Sequence, residues 1–451
     1  MPEGRLGTRV EPGERHHRDN RPEAMGKTRR IAILTYGSRG DVEPFVALGV
    51  GLRNAGHTVR LAGPAPFAPL ARSQGLEFAP IEGNPDELAQ AFADRVGLSW
   101  PRMIVQMVQH VLPLAEAAFR SVETATLDAD LIVHSFLMTD AGHTLALTRG
   151  VPDVSAQFFP IFLPTSAFPA VALPDLPLGG LYRRTTHALN TAVFRFGARL
   201  LYRRVRASAP DLPSLAAWPF SGRRGAMPPI LLAYSPHILP RPPEWPSHAH
   251  VTGYWQLPPS PGWQPPAALV RFLESGPPPI YFGSGSMRTD NLRVLLRMVV
   301  AASRACGLRV ILGAPPEALD PGAGDADVFA AEGIPHAWLF PRMCFILHHG
   351  GAGTTGAAAA AGIPSTATPF SADQAFWARR IHRLGVGPAS PPARRLRRDR
   401  LEAIFQDVLA NASYQRRAHD LGEALRAEDG VARALRVIHA QLGIGDDQSA
   451  R

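Results

Sequence analysis

The chain has 451 residues, of which 45% are hydrophobic, so it is long enough for two or three ordinary domains with true cores. Its formal net charge of +9 is concentrated in 379–400 and in the first thirty residues, without interleaved aromatics or a recognisable module, so nucleic acid is not an expected partner. Two cysteines, Cys306 and Cys344, form no disulfide framework and fit a reducing compartment.

Residues 1–29 are polar and aperiodic and are expected to be a disordered extension. They hold no apolar segment of a secretory signal, which predicts a cytoplasmic protein; translation could begin at Met1 or at Met25. The run RIAILTY (30–36) suits a buried parallel strand. The loop GSRGD (37–41), a helix over 42–54 and a strand over 57–62 complete a βαβ unit. Asp41 stands at the helix start, either as a cap or as a chemical group in a cleft. A strand follows over 75–81. Between 100 and 125, Met103, Ile104, Met107, Val108 and Val111 recur at helical spacing, as core or as the grip on an apolar ligand. A strand (130–134), a helix (141–148) and a strand (154–158) continue the alternation of a doubly wound parallel sheet.

The stretch FFPIFLPTSAFPAVAL (158–173) is apolar, rich in proline and aperiodic. Loops this apolar bury against something or line a pocket, which makes Phe158, Phe159 and Phe162 candidates for a binding wall. Pro160, Pro164 and Pro169 interrupt it, so it is no membrane span. A long helix over 181–206 carries the stripe Leu189, Val193, Phe196 and Leu200, with Arg184, Arg195, Arg199 and Arg206 around it. Its basic side is either merely solvated or a peripheral contact with anionic lipid. Strands at 228–233 and 249–253 end the first half, and QLPPSPGWQPP (256–266) is the linker. The expected domains are therefore 30–255 and 267–443, with a loose tail over 444–451.

The second half repeats the pattern: a strand (279–282), a small-residue loop (283–286), a helix (291–305) and a strand (308–313). A strand at 344–347 then ends in His348-His349 and turns through Gly350, Gly351 and Gly353 into an alanine helix opened by Thr354. Glycines admit close backbone approach, and a helix start offers free N–H groups and partial positive charge, which together make an anion site. A strand over 363–370 leads to Asp373-Gln374, beyond a carboxyl edge where α/β ligands sit. Adjacent strand residues face opposite ways, and no third ligand stands at metal spacing, so neither metal nor cofactor is expected. Helices are expected over 401–425 and 430–442, the last crossing back to the first domain.

HHGGAGTT followed by PFSADQAFWARR resembles the nucleotide-sugar signature of the UDP-glycosyltransferase superfamily. GSRGDVEPFVALGVGLRNAGHTVRLA resembles the amino-terminal signature of its sterol 3-β-glucosyltransferase-like and glycopeptide-antibiotic branches, and PTSAFP, GSGSM and HAWLFP have counterparts there. The resemblance implies a GT-B fold, two Rossmann-like doubly wound domains facing across a cleft, the first for the acceptor and the second for the donor. It implies inverting, metal-independent transfer of a hexose from a UDP- or dTDP-sugar to a hydroxyl of an apolar acceptor. It makes Asp41 the general base; Arg39 could hold that carboxylate ionised or contact the donor or the acceptor, and its role stays open. On the donor it places Ser286, His349, Gly351, Gly353 and Thr354 at the diphosphate, Trp338 at the base, and Asp373 and Gln374 at the sugar. On the acceptor it places Met107 and the segment of Phe158, Phe159 and Phe162. Ala357 stands where many members carry a ribose-binding glutamate, which removes one means of separating UDP from dTDP. The expected partners are these two small molecules, with no obligate protein. An epimerase of the same fold would not need the apolar segment; a non-catalytic homologue would be expected to lose Asp41 or Asp373; a nicotinamide enzyme would need a GxGxxG turn, which is absent.

Overall fold

The computed structural model describes residues 28–83, 114–171, 173–221, 227–259, 262–285, 292–319, 326–370 and 372–444. The expectations for the first 27 residues, Met107, Ser286 and the residues after 444 therefore lie outside the described residues.

The first half forms a parallel sheet of β1 (Arg30–Leu34), β2 (Thr58–Pro64), β3 (Glu77–Ile81), β4 (Leu131–Ser135), β5 (Asp153–Gln157), β6 (Ile230–Leu232) and β7 (Ala249–Val251), in the order 3-2-1-4-5-6-7. Four of five residues in β1, and all of β4 and β5, are buried, as befits strands covered on both faces. Helices α1 (Arg39–Asn54), α2 (Ala68–Ser73), α3 (114–125), α4 (Thr139–Arg149) and α5 (Gly179–Ser208) cover it. Phe45, Val46 and Leu48 of α1 are fully buried against Ile31, Ile33 and Val133. At about 1.5–3 kcal/mol per buried large apolar side chain, this face alone commits α1 to the sheet.

The second half forms another parallel sheet, β8 (Ile280–Gly283), β9 (Val310–Leu312), β10 (Val328–Ala330), β11 (Phe345–His348) and β12 (Ser365–Ala367), ordered 10-9-8-11-12. Its helices are α6 (Ala267–Glu274), α7 (Leu292–Ala305), α8 (His336–Leu339), α9 (Ala352–Ala361), α10 (Ala372–Leu384), α11 (Arg398–Ala410) and α12 (Ala412–Arg426). The final helix, α13 (Gly430–Gln441), returns to the first half. Its Ala434 and Ile438 are buried in the core of α1, and a Cβ on Gly51 would collide with Val431.

Three sequence expectations are corrected. The alanine helix begins at Ala352, with Gly351 as N-cap, rather than at Thr354. β10 and α6 carry too few residues for a periodic signal and were not foreseen. In α5 the buried positions are Thr186, His187, Asn190, Gly197 and Val205, whereas Leu189 and Phe196 are 58% and 65% exposed. The apolar stripe faces outward because His187 and Asn190 are drawn inward by the carbonyls of Phe168 and Ile161.

Candidate active site

In open α/β sheets, ligands collect at the carboxyl edge where the strand order reverses. That reversal falls between β1 and β4 in the first sheet and between β8 and β11 in the second. The segments leaving β1 and β11 carry Asp41 and His349, and those after β5 and β12 carry the apolar segment and Asp373-Gln374.

Asp41 follows β1 at the third position of α1. The amide and hydroxyl of Ser38 donate to its Oδ2 at 2.8 and 2.9 Å, and the Thr35 hydroxyl donates to its carbonyl at 2.8 Å. Asp41 thus closes a capping box, as a structural aspartate would. Burial nevertheless raises its carboxyl to about 6; the nearby charge of Asp373 adds to the rise and the Ser38 hydrogen bonds oppose it. A cap alone would hold an ordinary low value. Gly37, at φ +136°, is required here: a Cβ would overlap the Asp41 carboxyl. Arg39 is exposed and pairs with Glu43 at 2.7 Å, while its charge is felt by His336.

His348 ends β11, and His349 is the first residue of the turn that follows. His348 is fully buried, its Nδ1 accepting the Gly350 amide at 3.1 Å. His349 lies in the turn, its ring held between two glycines. A Cβ on Gly285 would stand 2.5 Å from Cε1, and one on Gly351 would stand 2.5 Å from Nε2. Burial lowers His349 to about 4 against the opposing pull of Asp373 and the Gly283 carbonyl, so it is neutral near pH 7. Its Nδ1 is buried without a hydrogen bond among the described residues. The amides of Ala352, Gly353 and Thr354 form the first turn of α9, the first intrahelical bond being Thr355 N to Gly351 O at 2.9 Å. Nothing would lie within 4 Å of a Cβ on Gly353, so this turn is open. Three open helix amides with the neutral His349 ring beside them suit an anion such as a diphosphate.

Asp373 sits in the first turn of α10, half-buried, and acts electrostatically on both Asp41 and His349. Gln374 is buried and its Oε1 accepts the Phe370 amide at 2.8 Å, bracing the turn that presents Asp373. Trp338 is half-buried, with the Arg342 guanidinium 4.1 Å from its ring centre and Trp263 against it at 5.5 Å. His336, unflagged from the sequence, stacks on Phe340 at 4.2 Å; burial, His349 and Arg39 lower it to about 4. No periodic signal marks it.

The apolar segment after β5 divides into parts. Phe158 is core, packed on Phe45 at 5.3 Å and near Trp255 at 6.5 Å, because it continues the strand's inward face. Phe159 packs on Phe136 at 5.1 Å, and Phe162 meets Trp218, Phe194 and Phe220 at 4.9, 5.3 and 5.7 Å. These form an aromatic cluster beyond β4 and β5. Phe168 and Val171 instead reach the second half, where they join Phe376 and Trp377 of α10.

Among the described residues, no group of three or more His, Cys, Asp and Glu could hold a metal, and no helix is long and apolar enough to cross a membrane.

Two doubly wound parallel-sheet domains, with Asp41 after β1 in one and His349 after β11 in the other, have the GT-B architecture. Residues 31–151 match the glycosyltransferase family 28 N-terminal domain, and 323–433 the erythromycin biosynthesis protein CIII-like C-terminal domain. The chain is 35% identical over 434 residues to the O-mycaminosyltylonolide 6-deoxyallosyltransferase of Streptomyces fradiae, covering 91% of this chain and 96% of that protein. It is 32% identical over 430 residues to a sterol 3-beta-glucosyltransferase of Neosartorya fischeri, covering 92% of this chain but only 29% of that longer protein. The solved structure of a calicheamicin glycosyltransferase superposes with a TM-score of 0.66 at 19% identity, over 94% of this chain and all of that one. The chain belongs to the UDP-glycosyltransferase superfamily and is an enzyme, a glycosyltransferase.

Proposed function

We propose that this enzyme moves a hexose from a UDP- or dTDP-linked donor to a hydroxyl of an apolar acceptor, a sterol or a polyketide aglycone, with inversion and without a metal. The observation that carries the reading is the convergence of Asp41, from the first sheet, with Asp373 and His349, from the second. Asp41 takes the proton of the acceptor hydroxyl; the oxygen forms its bond to C1 of the sugar while the bond from C1 to the diphosphate oxygen breaks. A carboxyl near 6 is ionised at neutral pH yet more basic than an ordinary aspartate, as a general base requires. The departing diphosphate rests on the α9 amides and the Thr354 hydroxyl, with the His349 ring beside them. Asp373 accepts hydrogen bonds from sugar hydroxyls, and the buried Gln374 supports it.

Trp338 borders the nucleotide base, Ser286 the diphosphate, and the cluster around Phe159 and Phe162 the apolar body of the acceptor. The names of two relatives, an O-mycaminosyltylonolide 6-deoxyallosyltransferase and a sterol 3-beta-glucosyltransferase, support this acceptor class. The test is a matrix of the purified protein with UDP-glucose and dTDP-sugars against sterol, macrolide and glycopeptide acceptors, read by mass. A product heavier than its acceptor by one hexose or deoxyhexose residue is expected. Donor turnover that never produces a glycosylated acceptor would sink the reading.

A further inference from the structure

The helix that presents Asp373 is fastened at its far end to the segment that runs past the aromatic cluster. Arg383, in the last turn of α10, reaches Oδ2 of Asp175 at 2.6 Å, and Arg183 of α5 holds Oδ1 at 3.2 Å. The Asp175 side chain is only 6% exposed, and although burial raises its carboxyl, the two guanidiniums hold it below the usual range. Arg183 also donates to the Ala167 carbonyl at 3.1 Å, so Asp175 is tied to the backbone beside Phe168. Midway along α10, Phe376 meets Phe168 edge-on at 5.5 Å, Trp377 meets Tyr234 at 5.6 Å, and Arg380 donates to the Ile238 carbonyl. A helix of thirteen residues spans roughly 18 Å as one stiff body.

We propose that Asp175 is a positioning residue that couples the two substrate sites, an inference resting on the donor and acceptor assignments above. An acceptor seated on Phe159 and Phe162 fixes the backbone that carries Phe168 and Asp175. Through Phe376 and Arg383 that backbone fixes α10, and with it the carboxylate of Asp373. Occupancy of either site therefore favours the arrangement the other site needs, and linkage makes the effect reciprocal. Asp175 touches neither substrate.

Hydrogen exchange on the intact protein reads this without knowledge of the acceptor. Adding UDP-glucose or a dTDP-sugar, which carries the sugar assigned to Asp373, is expected to slow wild-type amide exchange across 158–171 at least several-fold; in Asp175→Asn that slowing is lost while the Kd of UDP or dTDP changes less than about twofold. Arg383→Gln, at a half-exposed position, provides the same test should the first variant fail to fold, and the double variant is expected to be no worse than either single one. With an acceptor that is turned over, the donor-sugar KM of the wild type is expected to fall several-fold as the acceptor approaches saturation, and both variants to lose that fall. Protection that persists in both variants, or never arises in the wild type, overturns the coupling. Failure of all sugar transfer sinks the proposed function instead and leaves the exchange result to stand on its own.

Discussion

Asp41 and Asp373 enter the site from opposite halves of the chain, and the charge of Asp373 adds to burial in raising the Asp41 carboxyl to about 6. Two carboxylates near one another are unfavourable unless something positive or protic is placed between them. In the proposed reaction an acceptor hydroxyl on one side and sugar hydroxyls on the other would fill that role.

The pH profile follows from this pair. Transfer needs ionised Asp41, so kcat/KM should fall below an acid limb near pH 6. Asp373→Asn should move that limb to lower pH, because one cause of the rise is removed. An acid limb far from pH 6 in the wild type would exclude Asp41 as the titrating group.

Asp41→Asn should abolish transfer and leave nucleotide affinity within about twofold of wild type. It should not reduce stability at pH 7–8. The folded protein holds this carboxyl above its ordinary 3.8, so its ionised form destabilises the fold; that penalty is fully present above about pH 6 and is relieved as pH falls toward 3.8. The asparagine variant lacks the penalty, and a thermal melt at pH 8 well below the wild type's would contradict the assignment.

His349→Ala should weaken nucleotide binding roughly 10- to 100-fold, the range of a hydrogen bond of about 1.5–3 kcal/mol to a charged group. Calorimetric titration with UDP and dTDP measures it directly. An unchanged Kd would remove the histidine from the diphosphate site.

Two glycines separate packing from ligand space. Gly351→Ala places a methyl 2.5 Å from the His349 ring and should lower both melting temperature and donor affinity. Gly353→Ala meets nothing within 4 Å and should stabilise α9 by roughly 0.5–1 kcal/mol. It should still weaken nucleotide binding, because the methyl intrudes where the anion approaches the helix amides. Equal affinity in this variant would show that no ligand closes on that turn.

The sequence by itself determined what depends on neighbours along the chain. Apolar runs buried on both faces specified parallel strands, and the glycine turn before the alanines specified an open helix start. Asp41 at the helix start was legible for the same reason, although its closing a capping box while carrying a raised carboxyl was not. Tertiary structure decided everything that depends on which surfaces meet. It turned Leu189 and Phe196 outward, because the polar His187 and Asn190 had carbonyl partners inside. It put Phe158 into the core and sent Phe168 across to Phe376, a division that an aperiodic proline-rich run does not encode. It buried Gln374 beneath Asp373 and brought His336 beside His349. The pKa of Asp41 belongs to this second group, since desolvation and a charge hundreds of residues away exist only once the two sheets face each other.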